Sequence, residues 1–227
     1  MPTRTAMLET VETTTGPKPA FSVIWLHGLG ADGHDFAPIV PELVRRDWPA
    51  LRFVFPHAPV MPITINSGHA MRAWYDIVSL DFSKVREDAA GVRRAIGEVD
   101  ALVARERDRG VPANRVFLAG FSQGGAITLA AGLRREQPFA GLIALSTYLP
   151  LAAETAAEAT PKGLATPLFM AHGASDPVVP LAAGQKSTDT LKALGMDASL
   201  RRYPMPHSVC ADEIRDLGDW MTQRLAG

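Results

Sequence analysis

Apolar positions along the chain follow two alternating periods. Five short runs, residues 21–27 (FSVIWLH), 51–55 (LRFVF), 115–121 (RVFLAGF), 141–146 (GLIALS) and 167–172 (PLFMAH), are apolar almost throughout and rich in β-branched or aromatic side chains. Runs of this kind predict strands buried on both faces, as in a parallel sheet. Residues 5–13 alternate more weakly and predict an antiparallel edge strand, while residues 199–203 predict a last parallel strand.

Between these runs the period lengthens. Over residues 83–109, Val85, Ala89, Val92, Ile96, Val99 and Val103 fall three or four apart, which sets one face of a helix against a sheet and leaves arginines and glutamates in water. Ser83 with Arg86 and Glu87 marks a capped start, and Gly110 before Val111-Pro112 a stop. Further helices are expected over residues 35–46, 123–135, 181–194 and 211–225. Residues 56–73, with three prolines, and 150–166, rich in alanine and threonine, fit neither period and are expected to be surface loops at one end of the sheet. Strand-helix alternation over the whole length predicts an α/β chain, a mostly parallel central sheet with helices on both faces, in a single domain spanning residues 1–227.

Composition narrows the classes of function. Of 227 residues, 47% are hydrophobic and 21% charged, a globular balance; 23 lysines and arginines against 24 aspartates and glutamates leave a formal charge of −1. No basic excess recruits nucleic acid or an anionic membrane. A single cysteine, Cys210, excludes an intrachain disulfide framework and any multi-thiolate metal site. The first 20 residues lack the apolar core of a secretory signal, so cytoplasmic residence is the default expectation. Residues 116–133 carry no charge over 18 positions, but four glycines with Ser122, Gln123 and Thr128 make them strand, turn and helix, and no stable membrane insertion is expected.

The candidate chemistry lies in that segment. Gly120-Phe121-Ser122-Gln123-Gly124 fits G-x-S-x-G where a strand must turn directly into a helix, and a nucleophile in so sharp a turn needs small neighbours. A serine hydroxyl needs a base, and the base an orienting group. In the order expected for this turn, Asp176 follows in His172-Gly173-Ala174-Ser175-Asp176-Pro177, just past a buried strand. His207, in Pro206-His207-Ser208, is the sole histidine after it. His27, His34, His57, His69 and His172 precede the acid and are disqualified by order. No histidine pair has helical metal spacing. The oxyanion of an acyl transfer needs two backbone donors: the N–H of Gln123, after the nucleophile, and one from His27-Gly28-Leu29-Gly30, for which Leu29 is the candidate. No G-x-G-x-x-G joins strand to helix, which argues against a dinucleotide site.

Five segments, Val-Ile-Trp-Leu-His-Gly-Leu-Gly-Ala-Asp-Gly-His-Asp at 23–35, Met-Arg-Ala-Trp-Tyr-Asp at 71–76, Gly-Phe-Ser-Gln-Gly-Gly at 120–125, His-Gly-Ala-Ser-Asp at 172–176 and Pro-His-Ser-Val-Cys at 206–210, resemble in order the carboxylesterase and acyl-protein thioesterase family of small α/β-hydrolases, the bacterial carboxylesterases above all. The resemblance implies an α/β-hydrolase fold without a large cap domain. It implies a nucleophile Ser122, a base His207 oriented by Asp176, and an oxyanion hole from Leu29 and Gln123. It also places Trp74 as a pocket wall and Val178 and Val179 along an acyl groove. Members act on small-molecule esters with short to medium acyl chains, on lysophospholipids or on fatty acyl thioesters of proteins. They use no cofactor, and several form homodimers. Asn66-Ser67-Gly68-His69 departs from the family's Asn-Gly-Gly followed by an apolar residue, which bears on acyl-chain access. A catalytic thiol at Cys210 is redundant with Ser122, and a non-catalytic binding module would be expected to have lost one of the three side chains.

Overall fold

A computed structural model describes residues 7–79 and 87–226. In chain order its strands are β1 (Thr10–Thr14), β2 (Phe21–Leu26), β3 (Leu51–Pro56), β4 (Val60–Ile63), β5 (His69–Arg72), β6 (Val116–Phe121), β7 (Gly141–Leu145), β8 (Leu168–Gly173) and β9 (Leu200–Tyr203). Its helices are α1 (Val40–Leu43), α2 (Ala89–Asp108), α3 (Gln123–Leu133), α4 (Ala152–Glu158), α5 (Pro161–Leu164), α6 (Leu181–Ala193) and α7 (Ala211–Leu225). Seven strands form one sheet in the order β1-β3-β2-β6-β7-β8-β9, all parallel except β1.

The apolar runs form strands because each buries both faces. Along β2 the side chains divide: Val23 and Trp25 join Phe117, Leu145, Phe169 and the α7 residues Leu217 and Trp220, whereas Ile24 and Leu26 join Leu118, Leu142, Val99 and Leu102 of α2 and Ile127 of α3. Helices therefore cover both faces, and the fold is that of an α/β-hydrolase. The register pairs Leu26 with Gly120 and Phe121 with Leu145, so the carboxyl ends of β2, β6 and β7 finish level. The order reverses at β2, whose neighbours are β3 and β6, and the segments leaving β2 and β6 open a crevice there.

Three expectations need correction, and a fourth falls outside the described residues. The expected long helix over 35–46 is a 3-10 turn at Ala37–Ile39 followed by the four residues of α1; Pro38 and Pro41, which have no N–H to give, each start a turn but prevent one continuous ladder. Residues 56–73 contain the antiparallel hairpin β4–β5, turned through Ser67 and Gly68, both at positive φ. Residues 150–166 hold α4 and α5: alanine is the strongest helix former, and Thr160 caps α5 by accepting from the Gly163 N–H at 2.9 Å. The expected start at Ser83 and the apolar position Val85 lie outside the described residues; α2 begins at Ala89, capped by Asp88 accepting from the Gly91 N–H at 2.9 Å. Gly110, at φ +92°, is the predicted stop.

One buried group in α7 has consequences for stability. Glu213 is 1% exposed, and neither carboxylate oxygen reaches a hydrogen-bond partner among the described residues. Burial pushes its carboxyl up to about 8. An unfolded chain releases this proton near 4.5 while the folded chain keeps it until about 8. Stability therefore falls as pH rises through that window, by on the order of 1 kcal/mol per pH unit. Glu213→Gln is expected to be the more stable protein at the upper end and to lose this slope. Urea denaturation of both proteins at intervals across the window checks it; parallel curves would contradict it.

Candidate active site

Each element of the candidate site leaves the carboxyl end of a strand. Ser122 stands between β6 and α3 at φ 54°, ψ −118°, a combination that L-residues avoid unless their surroundings enforce it. Glycines allow the enforcement. A Cβ on Gly120 would lie 2.3 Å from the Gly124 carbonyl, and one on Gly124 would lie 2.2 Å from the Leu26 carbonyl oxygen. Strand β6, helix α3 and strand β2 thus touch backbone to backbone at this turn. The Ser122 N–H bonds to the Leu145 carbonyl at 2.9 Å, and its carbonyl accepts from Thr147 Oγ1 at 2.7 Å.

His207 and Asp176 come together from the loops after β9 and β8. The His207 Nδ1–H donates to Asp176 Oδ2 at 2.6 Å, leaving Nε2 free to accept a proton. The other carboxylate oxygen, Oδ1, accepts from the N–H groups of Val178 at 2.8 Å and Val179 at 2.9 Å. The Asp176 side chain has no exposed surface, and three donors take the place of water around it. Beneath it lies His172, also fully buried, whose Nε2–H donates to the Val179 carbonyl at 2.8 Å. Burial lowers its proton affinity, so it stays neutral beside the carboxylate. The imidazole of His207 lies 4.7 Å from the ring of Phe121, the residue before Ser122, which places the pair beside the turn. Among the described residues the Ser122 hydroxyl itself makes no hydrogen bond.

The loop that carries the candidate donor Leu29 runs beside the nucleophile turn. Gly28 passes so close that a Cβ there would lie 3.5 Å from the Ser122 Cβ. Among the described residues neither the Leu29 N–H nor the Gln123 N–H finds an acceptor in the protein, although the neighbouring Gly30, Ala31 and Ala126 N–H groups all do.

The substrate-contact expectations fare differently. Trp74 is fully buried; its N–H donates to Gln123 Oε1 and its Nε1–H to the His27 carbonyl, both at 2.9 Å. It presents no surface to a substrate and is not a pocket wall, because an indole with a partner for its one polar group packs without cost in the core. Val178 is exposed beside Asp176, whereas Val179 is buried and contributes its backbone. His69 is exposed, its Nδ1 bonded to the Asn66 carbonyl at 2.7 Å across the departing loop. A groove of about 460 Å³ opens beside His207, floored by Phe36, Ile39, Phe121, Val209 and Ile214. Among the described residues no group of three or more His, Cys, Asp or Glu could hold a metal, and no helix is long and apolar enough to cross a membrane. The supporting histidines His27 and His172 were not identified from the sequence; each ends a strand that runs into the site, which is the signal that could have found them.

Comparison with known proteins agrees with this architecture. Residues 8–224 match the phospholipase/carboxylesterase family of α/β-hydrolases, and the chain belongs to it. The acyl-protein thioesterase 1 of Mycosarcoma maydis is 41% identical over 223 residues, covering 91% of this chain and 92% of that protein. That of Neurospora crassa is 42% identical over 213 residues, covering 90% and 86%. Among solved structures, Arabidopsis thaliana SOBER1 superposes with a TM-score of 0.86 at 30% identity, covering 90% of this chain and 99% of that one. Zea mays acyl-protein thioesterase 2 superposes with a TM-score of 0.82 at 26% identity, covering 95% and 99%.

The close approach at the turn yields a prediction. Gly124→Ala would drive a methyl into two fixed carbonyls, 2.2 Å from Leu26 O and 2.6 Å from His27 O. Destabilisation of about 1–3 kcal/mol is expected, with a loss of hydrolytic rate of roughly 100-fold in the folded fraction as the turn shifts. Gly97→Ala, in the open middle of α2 where nothing lies within 4 Å, is the control and should gain about 0.5–1 kcal/mol. Urea melts and turnover of a chromogenic ester measure both.

Proposed function

We propose that this chain is a serine hydrolase that cleaves carboxylic esters of short to medium acyl length through an acyl-enzyme. The observation that carries the reading is the strained Ser122 at the strand-to-helix turn, with the His207–Asp176 pair against the preceding residue Phe121 and the Gly28 loop against the Ser122 side chain. In the first step Ser122 Oγ forms a bond to the ester carbonyl carbon as His207 Nε2 takes its proton. The carbonyl electron pair moves onto oxygen, where the N–H groups of Leu29 and Gln123 receive it. Collapse of the adduct breaks the C–O bond to the alcohol, which leaves with the proton from His207. Water then repeats the sequence on the acyl-enzyme, and Ser122 regains its hydrogen. Asp176 keeps the Nδ1 tautomer throughout and compensates the transient imidazolium.

A second reading, cleavage of fatty acyl thioesters from proteins, uses the same groups. It is favoured by the names of the Mycosarcoma and Neurospora relatives. The modest groove beside His207, with no large cap among the described residues, favours small substrates. Both readings are tested by one panel: p-nitrophenyl butyrate, octanoate and palmitate with a palmitoyl thioester, for wild type and Ser122→Ala. The expected outcome is preference for the shorter esters and a loss of about 1,000-fold or more in the variant. Preference for the long thioester would keep the mechanism and transfer the chain to deacylation. Retained turnover in Ser122→Ala would overturn the mechanism.

A further inference from the structure

The two oxyanion donors belong to segments far apart in sequence, and their spacing depends on what ties those segments together. One residue reaches both. The Trp74 backbone N–H donates to Gln123 Oε1 at 2.9 Å, and the Gln123 Nε2–H donates to the Tyr75 carbonyl at 2.7 Å, so the side chain beside the nucleophile clasps the 74–75 backbone in two bonds. The indole Nε1–H of the same Trp74 donates to the His27 carbonyl at 2.9 Å. From there the constraint passes along the loop. His27 Nε2 accepts from the Ala58 N–H at 3.0 Å, which places the ring proton on Nδ1, and Nδ1–H donates to the Gly28 carbonyl at 2.7 Å. Burial keeps this imidazole neutral and so preserves the tautomer. The Gly28 carbonyl and the Leu29 N–H share one trans peptide and point in opposite directions, so holding the first aims the second.

Trp74 is 0% exposed, Gln123 2% and His27 1%. Arg94 also donates to the Trp74 carbonyl, at 3.0 Å, so every backbone and side-chain polar group of the tryptophan is used. The indole and the His27 ring lie 5.3 Å apart, centroid to centroid. No water has room to replace these bonds without the packing giving way.

We propose that Trp74 is a positioning residue that sets the separation and aim of the Leu29 and Gln123 N–H groups, holding the oxyanion hole formed before substrate arrives. It touches no reacting atom and acts through His27 and Gln123. The inference rests on the serine hydrolase reading and adds to it. A preformed pair of donors stabilises charge that exists only in the transition state, so loosening it should lower kcat and leave ground-state binding alone.

Trp74→Phe keeps an aromatic ring, the backbone bond to Gln123 and most of the buried volume, and removes the donor to His27. In hydrolysis of p-nitrophenyl butyrate its kcat is expected to fall about 10- to 100-fold, with KM within about threefold of wild type. An alkyl boronic acid, which forms a tetrahedral adduct on a serine, should bind more weakly by about the same factor as kcat falls. A merely structural role would lower the melting temperature without separating kcat from KM. Gln123→Leu keeps its own N–H but loses both bonds to the 74–75 backbone; it should show the same split and decides the matter if Trp74→Phe does not fold. Unchanged kcat, or a KM that rises as much as kcat falls, overturns the positioning role. A wild type that neither turns over esters nor binds the boronate overturns the hydrolase reading, and the inference with it. A working wild type with an unaltered variant overturns the inference alone.

Discussion

Everything at the candidate site depends on three backbones meeting at van der Waals distance around Ser122. An ordinary side chain at position 120 or 124 would put a carbon 2.2–2.3 Å from main-chain atoms that have no freedom to move. With glycine at both, β6 can turn into α3 within one residue, and that residue takes a backbone conformation costing on the order of 1–3 kcal/mol. The cost is met by what the turn makes possible: α3 lies directly on the sheet, with Ile127, Leu129 and Ala130 fully buried against it. The strain is therefore held by core packing, and the serine projects from it without needing a hydrogen bond of its own. The same contact brings the loop after β2 beside the serine, since Gly124 rests on the carbonyls of Leu26 and His27.

Charge is handled as sparingly as conformation. The region carries one fully buried carboxylate at Asp176, and its partners are two backbone N–H groups and one imidazole N–H, with no lysine or arginine. A buried carboxylate bonded to a guanidinium would gain stability but would leave little need for a positive charge on His207. With neutral donors alone, its negative charge stays available to an imidazolium that forms later. His172, 3.6 Å from the same carboxylate, could compete for that role if it were protonated. Burial prevents this, and its one N–H is spent on the Val179 carbonyl. Two histidines near one acid thus differ in function through their surroundings: one is sealed and neutral, the other has exposed surface and its Nε2 free.

The five apolar runs were legible because a strand buried on both faces has no polar position to disguise it, whereas the largely exposed β1 and β9 showed only through weaker patterning at the sheet's edges. Ser122, Asp176 and His207 could be proposed from order and spacing, since each follows a strand end and the glycines around Ser122 mark a turn that few other structures need. What escaped the sequence has a common character. Residues 35–46 have helical spacing but carry two prolines, and periodicity alone cannot weigh a missing N–H against an apolar face. The β4–β5 hairpin is hidden because its prolines look like breaks, although Pro62 is tolerated in a two-stranded ladder that has edges on both sides. Trp74 was misplaced for a different reason: a large aromatic beside a site suits a wall or a core equally well, and only the partners of its N–H groups distinguish them.

Those partners show why backbone groups make reliable donors here. An N–H that receives an oxyanion must have no fixed protein partner, and leaving it so costs less at a part-buried residue such as Leu29 than in the core. Around Leu29 the His27 carbonyl, the Gly28 carbonyl, the Gly30 N–H and the Ala31 N–H have partners, and the Leu29 N–H has none among the described residues. At Gln123 the unpaired group is the first N–H of a helix, which the helix itself leaves free and whose dipole favours negative charge. The two donors are left over by two different rules of backbone pairing. The glycine contact that joins β2 to α3 brings the loop of the first beside the helix start of the second.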